Sequence, residues 1–165
     1  MKGTRNFSKF WILIIVLLTV GCDQVSKELT RTKVEPREYI SVIGEHFILT
    51  NVENTGAMLG FGQHFPPIVK RLFLQGLPLL VLLVLLYRIL TKPYLNLLLM
   101  IAFSLVIGGG IGNLIDRIAH GSVTDFFQIR LGFFRTGIFN IADIAVTNGV
   151  FILLLQIGRG KKLAF

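Results

Sequence analysis

The chain is poor in the features that organise soluble and secreted proteins. It has one cysteine, Cys22, so no intrachain disulfide can form and cysteine usage does not report the redox compartment. Charged residues make up 16% of its 165 residues, against about 25% in an average soluble domain. Hydrophobic residues make up 53%, which argues against a soluble globule. Acidic residues are scarcer than basic ones, 9 against 17, leaving a formal net charge of +8. An excess of that sign suggests nucleic acid or an anionic membrane surface. Nucleic-acid binding does not fit the pattern, because the charges stand between long apolar runs and do not interleave along a solvated face. The three histidines, His46, His64 and His120, lack His-x-x-x-His or Cys/His spacing, so no metal site is expected. Ser104 and Ser122 lack the Gly-x-Ser-x-Gly setting of a serine nucleophile. No internal repeat is visible, which weakens an inverted-repeat transporter.

What is present is four apolar segments. A helix needs roughly 20 apolar residues to cross the ~30 Å hydrocarbon core. Residues 93–115 form an uncharged run that reaches ~34 Å at the helical rise. Residues 72–87 and 138–158 are further candidates, the last containing Asp143. Residues 10–22 are short, ~20 Å, and span only with flanking residues and a snorkelling Lys9. Lys2, Arg5 and Lys9 ahead of that run give it the outline of a secretory signal, and Gly21-Cys22 resembles a lipoprotein cleavage site. Thr19 stands where such sites carry an aliphatic residue, and further apolar segments follow. The run is therefore read as a retained helix. The expected spans are residues 8–26, 70–88, 93–115 and 138–158, with loops 27–69 and 116–137, in one integral membrane domain of 1–165.

The basic residues orient these spans. Lys2, Arg5, Lys9, Arg88, Lys92, Arg159, Lys161 and Lys162 lie on the two tails and the 88–92 link, with no acid among them. The nine other basic residues and all nine acids lie toward the remaining loops. The positive-inside rule makes both tails and the link cytoplasmic. The C-terminal cluster also suits anionic lipid headgroups.

In the first outer loop, Tyr39–Ile43 and residues 46–50 are β-branched and aromatic around Gly44-Glu45, which reads as a hairpin. Phe61, Phe65 and Pro66-Pro67 suggest a segment resting on the membrane. Gly60 and Gly62 flank it as hinges of a possible lid over residues 61–67. Phe126, Phe127, Phe133 and Phe134 suit an interface or a small β-like lid in the second loop. Pro78 either sits in a packed span or marks the outer start of the second. Gly108-Gly109-Gly110 and Gly112 lack the Lys-Ser/Thr of a phosphate loop and read as helix-packing positions.

Polar groups near a bilayer are costly and face a cavity or a partner. Five clusters fall on the outer side: Asp23, Gln24, Ser26 and Lys27; Asn54 to Ala57; Gly112, Asn113, Asp116 and Arg117; Asp125; and Asn140 with Asp143. Asp23 and Lys27 are i, i+4 in the favourable order. One reading of Asp23, Lys27, Asp116 and Arg117 is plain ion pairing, Lys27 with Asp23 and Arg117 with Asp116. Asp125 and Asp143 have no basic partner within a helical turn, which favours a functional role. Two such carboxylates, if close, share a proton. One takes a proton from water while the other polarises a carbonyl and assists the leaving amine. A proton-coupled transporter, a lipid-synthesis enzyme and a structural subunit are the rival readings. The apolar inner halves of the spans, the lack of clustered acids for metal-bound phosphate, and the polar convergence count against them in turn.

At these residues the sequence resembles the lipoprotein signal peptidase (signal peptidase II) family. The matching segments are Asp23-Gln24-Val25-Ser26-Lys27, Asn54-Thr55-Gly56-Ala57, Gly112-Asn113-Leu114-Ile115-Asp116-Arg117, Val123-Thr124-Asp125-Phe126 and Phe139-Asn140-Ile141-Ala142-Asp143. The resemblance implies a four-helix transmembrane bundle with an extracytoplasmic β-cradle and a short surface helix. It implies an aspartic endopeptidase with Asp125 and Asp143 as the dyad. Asp23, Lys27, Asn54, Gly56, Asn113, Asp116, Arg117, Asn140 and Ala142 would bind substrate or support it. The implied substrate is a prolipoprotein with a diacylglyceryl cysteine, cut just before that cysteine, and the implied inhibitor is the cyclic peptide globomycin. No cofactor or metal is implied. Membrane lipid is the expected surrounding partner, and a monomer in the bacterial inner membrane the expected state. Met58-Leu59 departs from the family pattern of a small residue followed by an aromatic.

Overall fold

The apolar run behind Lys9 does not stop at Cys22. In the computed structural model, which describes residues 2–57, 60–92 and 96–160 (side chains from residue 9 onward), helix α1 runs Lys2–Lys33. The stretch from residue 27 to Lys33, expected as loop, is helical because Pro36 is the first proline after Asp23 and no glycine intervenes. Its buried stripe repeats at helical spacing through Ile12, Val16, Asp23, Lys27 and Thr30. The stripe is apolar in the bundle and turns polar at one end. That change of chemistry along a single face places the site.

The second span begins at Pro67 and not at residue 70. Helix α2 (Pro67–Lys70), a π-helical turn (Arg71–Gly76) and helix α3 (Leu77–Thr91) follow without interruption. Pro78 lies inside this run, near the start of α3, and does not mark its outer end. Helix α4 (Leu97–Ala119) begins where the Asn96 side chain accepts from the backbone N–H groups of Leu98 and Leu99. It carries Asp116 and Arg117 in its final turns, four residues beyond the expected end. The Pro93 start expected for this span lies outside the described residues, as do Met58-Leu59, Lys161 and Lys162. Helix α5 (Ile141–Gly158) starts three residues late because Asn140 and Asp143 form a capping box. Four helices, over Lys9–Lys33, Pro67–Thr91, Leu97–Ala119 and Ile141–Gly158, are long and apolar enough to cross a membrane.

The glycines of α4 act as packing positions. A Cβ on Gly108 would meet Thr19 Cβ at 2.7 Å, one on Gly109 the Ala142 carbonyl oxygen at 2.4 Å, and one on Gly110 Leu82 Cδ2 at 2.6 Å. Helix α4 therefore approaches α1 and α5 at distances only glycine permits, while Gly110 faces the movable end of Leu82 in α3. Gly149 of α5 lies equally close to Ala102.

Both interhelical loops join one sheet. Strands β1 (Tyr39–Ile43), β2 (Phe47–Asn54), β3 (Val123–Leu131) and β4 (Phe134–Arg135) pair antiparallel in that order. The expected hairpin is present, but β2 runs on to Asn54. The extension lets it pair with β3, setting Val52 opposite Asp125 and Asn54 opposite Val123. Pairing between the two loops has no local signature in sequence. The stretch expected to carry the short surface helix includes residues 58–59, outside the described residues; Gly60 is in 3-10 conformation and residues 61–65 form turns and a bend.

Candidate active site

Asp125 enters the site from β3 and Asp143 from the first turn of α5. The backbone of Phe139 pins these elements together. It donates to Phe127 O and accepts from the N–H groups of Phe126 and Phe127. Asn140, the next residue, then touches both acids. Its side-chain Nδ2 donates to Asp125 Oδ1 at 2.7 Å, and its backbone N–H donates to Asp143 Oδ2 at 3.2 Å. The second oxygen of each acid is also held by an amide. Asn54 Nδ2 donates to Asp125 Oδ2 at 3.0 Å, and Asn113 Nδ2 donates to Asp143 Oδ1 at 2.8 Å. Asn140 Nδ2 also lies 3.1 Å from Asn113 Oδ1, which closes the ring of amides.

Asp125 is 4% exposed. Burial, which penalises the charged form, pushes its carboxyl from 3.8 up to about 7. The hydrogen bonds from Asn54 and Asn140 oppose that rise, and the neighbouring negative charge of Asp143 adds to it.

A second layer of charge supports this ring. Lys27, fully buried, places Nζ 2.7 Å from Asp23 Oδ2, 3.1 Å from Asp116 Oδ2 and 2.9 Å from Asn113 Oδ1. It thereby fixes the orientation of the amide that holds Asp143. Asp23 Oδ1 accepts from the Ala142 N–H at 2.9 Å, tying α1 to the start of α5. Gln24 bridges Gly112 O and Asp116 Oδ1. Gly112 lies so close to Asp23 that a Cβ there would sit 2.5 Å from Oδ2.

The Arg117–Asp116 pairing considered from sequence does not form. Neighbouring residues on a helix point in different directions. Asp116 turns toward Lys27 and Arg31, while Arg117 donates to Asn113 O and, at 3.0 Å, to Gly56 O. Gly56 N–H donates to Asn54 Oδ1, and Asn54 Nδ2 reaches Ala57 O. The segment carrying Gly60 and Phe61 is thus anchored on two residues that border the acids. Gln75 in the π-turn donates to Arg117 O at 2.8 Å. The structure therefore gathers Asp23, Lys27, Asn54, Gly56, Asn113, Asp116, Arg117, Asn140 and Ala142 around Asp125 and Asp143.

Two participants were not anticipated. Arg31 Nε lies 2.7 Å from Thr124 Oγ1, and its Nη2 lies 3.2 Å from Asp116 Oδ2. Glu53 accepts from Thr124 Oγ1 at 2.8 Å. Arg31 is four residues beyond Lys27, on the Asp23 face. Continuing the helix of α1 past Cys22 would have revealed it. Glu53 has no such signal, since it depends on pairing between β2 and β3. Among the described residues, no three His, Cys, Asp or Glu side chains are grouped to hold a metal ion.

Residues 15–159 match the sequence pattern of the family described as Signal peptidase (SPase) II. The chain belongs to the signal peptidase II family. A lipoprotein signal peptidase of Moorella thermoacetica is 37% identical over 145 residues, covering 88% of this chain and 91% of that one. One of Shouchella clausii is 39% identical over 152 residues, covering 90% and 95%. A solved structure described as a bacterial membrane enzyme superposes with a TM-score of 0.77 at 29% identity, covering 93% of each chain. Family membership makes the chain a peptidase of lipoprotein processing, and its four apolar helices and small antiparallel sheet fit a membrane protein of that fold.

Proposed function

We propose that this chain is an aspartic endopeptidase. In this reading it removes the signal peptide from diacylglyceryl-modified prolipoproteins by cutting just before the lipidated cysteine. The observation that carries it is the buried pair Asp125 and Asp143, bridged by Asn140. In a pair that shares one proton, burial favours Asp125 as its holder. Asp143 then removes a proton from water, whose oxygen attacks the scissile carbonyl carbon. Asp125 donates its proton toward the carbonyl oxygen. Collapse of the tetrahedral intermediate breaks the C–N bond, the proton gained by Asp143 passes to the leaving amine, and one hydroxyl of the intermediate returns a proton to Asp125. Asn54 and Asn140 each occupy one lone pair of Asp125, so its proton takes a remaining one.

The chain acts in this reading as one integral membrane domain and a monomer. Lys9, Arg88, Lys92 and Arg159 lie at the bundle end opposite the dyad, which supports a cytoplasmic placement of that end. The dyad then faces the extracytoplasmic side of the bacterial inner membrane, at the depth of a substrate whose acyl chains lie in the lipid. Globomycin is expected to compete at the dyad.

The pH dependence follows from Asp125. The group must be protonated to act, and its raised value keeps it so up to about pH 7. The kcat/KM of the full-length chain should therefore fall on the alkaline side of about pH 7. Asn54→Ala removes a hydrogen bond that favours the carboxylate, so the limb should move to higher pH. A limb displaced in the other direction would overturn the assignment of Asp125 as the acid.

The segment after Asn54 serves in this reading as a lid. Gly60 and Gly62 both have φ of +77°, where an L side chain costs roughly 1–2 kcal/mol. A Cβ on Gly62 would also stand 3.0 Å from the Phe65 ring. Gly60→Ala and Gly62→Ala should slow turnover several-fold, and unchanged steady-state kinetics would count against a moving lid.

A further inference from the structure

At the end of the sheet remote from the dyad, a cavity of about 400 Å³ is lined by Tyr39, Ser41, Glu45, His46, Arg130 and Arg135, among others. Arg130 and Arg135 are direct cross-strand partners. Like charges placed opposite each other are destabilising unless a counter-charge lies between them. Among the described residues neither forms an ion pair, and Glu45 is the acid on the cavity wall. Arg130 is held in place: its backbone N–H donates to His46 O at 2.8 Å, its Nε donates to Gln128 Oε1 at 2.8 Å, and its guanidinium stacks 5.3 Å from the centre of the Tyr39 ring. This is a preorganised cationic fork open to an anion.

The same end of the sheet is apolar at its tips. Val42 and Ile43, at the end of β1, are exposed. Leu131 at the end of β3, Phe133 in the turn that follows and Phe134 at the start of β4 are exposed, Phe133 fully. A patch of this kind is unusual on a surface that meets only water. The sheet springs from the ends of four helices that cross a bilayer, so phospholipid is the nearest apolar and anionic surface. Aromatic rings beside arginines are the composition of a headgroup contact.

We propose that this end of the sheet is a docking site for anionic phospholipid: the two turns enter the headgroup layer, and the cavity between Arg130 and Arg135 takes the lipid phosphate. The site is separate from the dyad and does not depend on the peptidase reading. At about one factor of five per arginine near a membrane surface, the pair should favour an anionic over a zwitterionic lipid by up to about 30-fold at low salt, and the preference should shrink as salt screens it.

The test places an indole at the tip with Phe133→Trp in a Trp11→Phe background, in the full-length chain in nanodiscs. Quenching by shallowly brominated phosphatidylglycerol is compared with quenching by brominated phosphatidylcholine. The proposal expects quenching by both lipids, a clear preference for phosphatidylglycerol, and a ratio near one after Arg130→Gln with Arg135→Gln. Quenching by aqueous iodide but by neither lipid would overturn it. So would a ratio near one in the chain with both arginines, which needs no arginine variant to fold. A preference that survives the double replacement would also overturn it. Loss of the preference on adding inorganic phosphate, but not chloride of equal ionic strength, would assign the cavity to free phosphate instead.

Discussion

Asp125→Asn and Asp143→Asn are each expected to lower kcat roughly thousand-fold or more, within the range measured for loss of a general acid or base. The substrate's acyl chains and signal helix remain bound by parts of the protein that these changes do not touch, so KM should move far less. A structural role would give a different signature. Asp125 is buried, and its folded-state value lies above the ordinary 3.8. The folded state therefore holds a proton that the unfolded state gives up. This contribution is complete below about pH 4 and is lost as the pH rises through about 7. Replacing Asp125 by the neutral amide removes the cost of ionising a buried group. Asp125→Asn should thus melt above the parent near pH 8 and lose that advantage near pH 5, while remaining inactive at both. Thermal unfolding followed in detergent at the two pH values checks this. An Asp125→Asn protein that is inactive because it melts early at both pH values would mark Asp125 as structural.

The second large effect is expected at Lys27. Its ammonium is the common partner of Asp23 and Asp116, and all three are fully buried. Removing one member of a buried ionic group leaves the others uncompensated and costs about 3–5 kcal/mol. Lys27→Met also frees Asn113, whose amide orients Asp143. The variant should lose most of its thermal stability margin and its activity. Neutralising a partner should repair part of the damage. Lys27→Met combined with Asp23→Asn is expected to be more stable than the two single effects summed. Strict additivity of the two unfolding free energies would show that Lys27 and Asp23 do not act as a unit. Asp116 is the more protected acid, because Arg31, Gln24 and the Thr124 N–H also contact it.

Much of this arrangement was legible in sequence because membrane chemistry makes polar residues informative. Asp125 and Asp143 stood out for want of a basic neighbour, and Asn140 and Asp143 for their three-residue spacing, which is the capping box that starts α5. The glycines from Gly108 to Gly112 read as packing positions, and the contacts they would lose to a Cβ agree. Helix ends were harder to place. Hydropathy ends α1 near Cys22, whereas the backbone stays helical to Lys33 because a polar face can be buried when ions pair along it. That misplacement hid Arg31. Arg117 was set beside Asp116 by sequence proximity, while the helix turns the two apart. The joining of β2 to β3 had no local signal, and with it went Glu53 and the placement of Val52 opposite Asp125.

The central claim is that two aspartates carry the chemistry. The most direct measurement is cleavage of a diacylglyceryl-prolipoprotein by the purified full-length chain in detergent with a metal chelator present, the products identified by mass. It is run beside Asp125→Asn and Asp143→Asn. The account predicts a new N-terminus at the lipidated cysteine, activity unaffected by the chelator, and no product above background from either variant. Cleavage by either variant at a rate near that of the parent would contradict it.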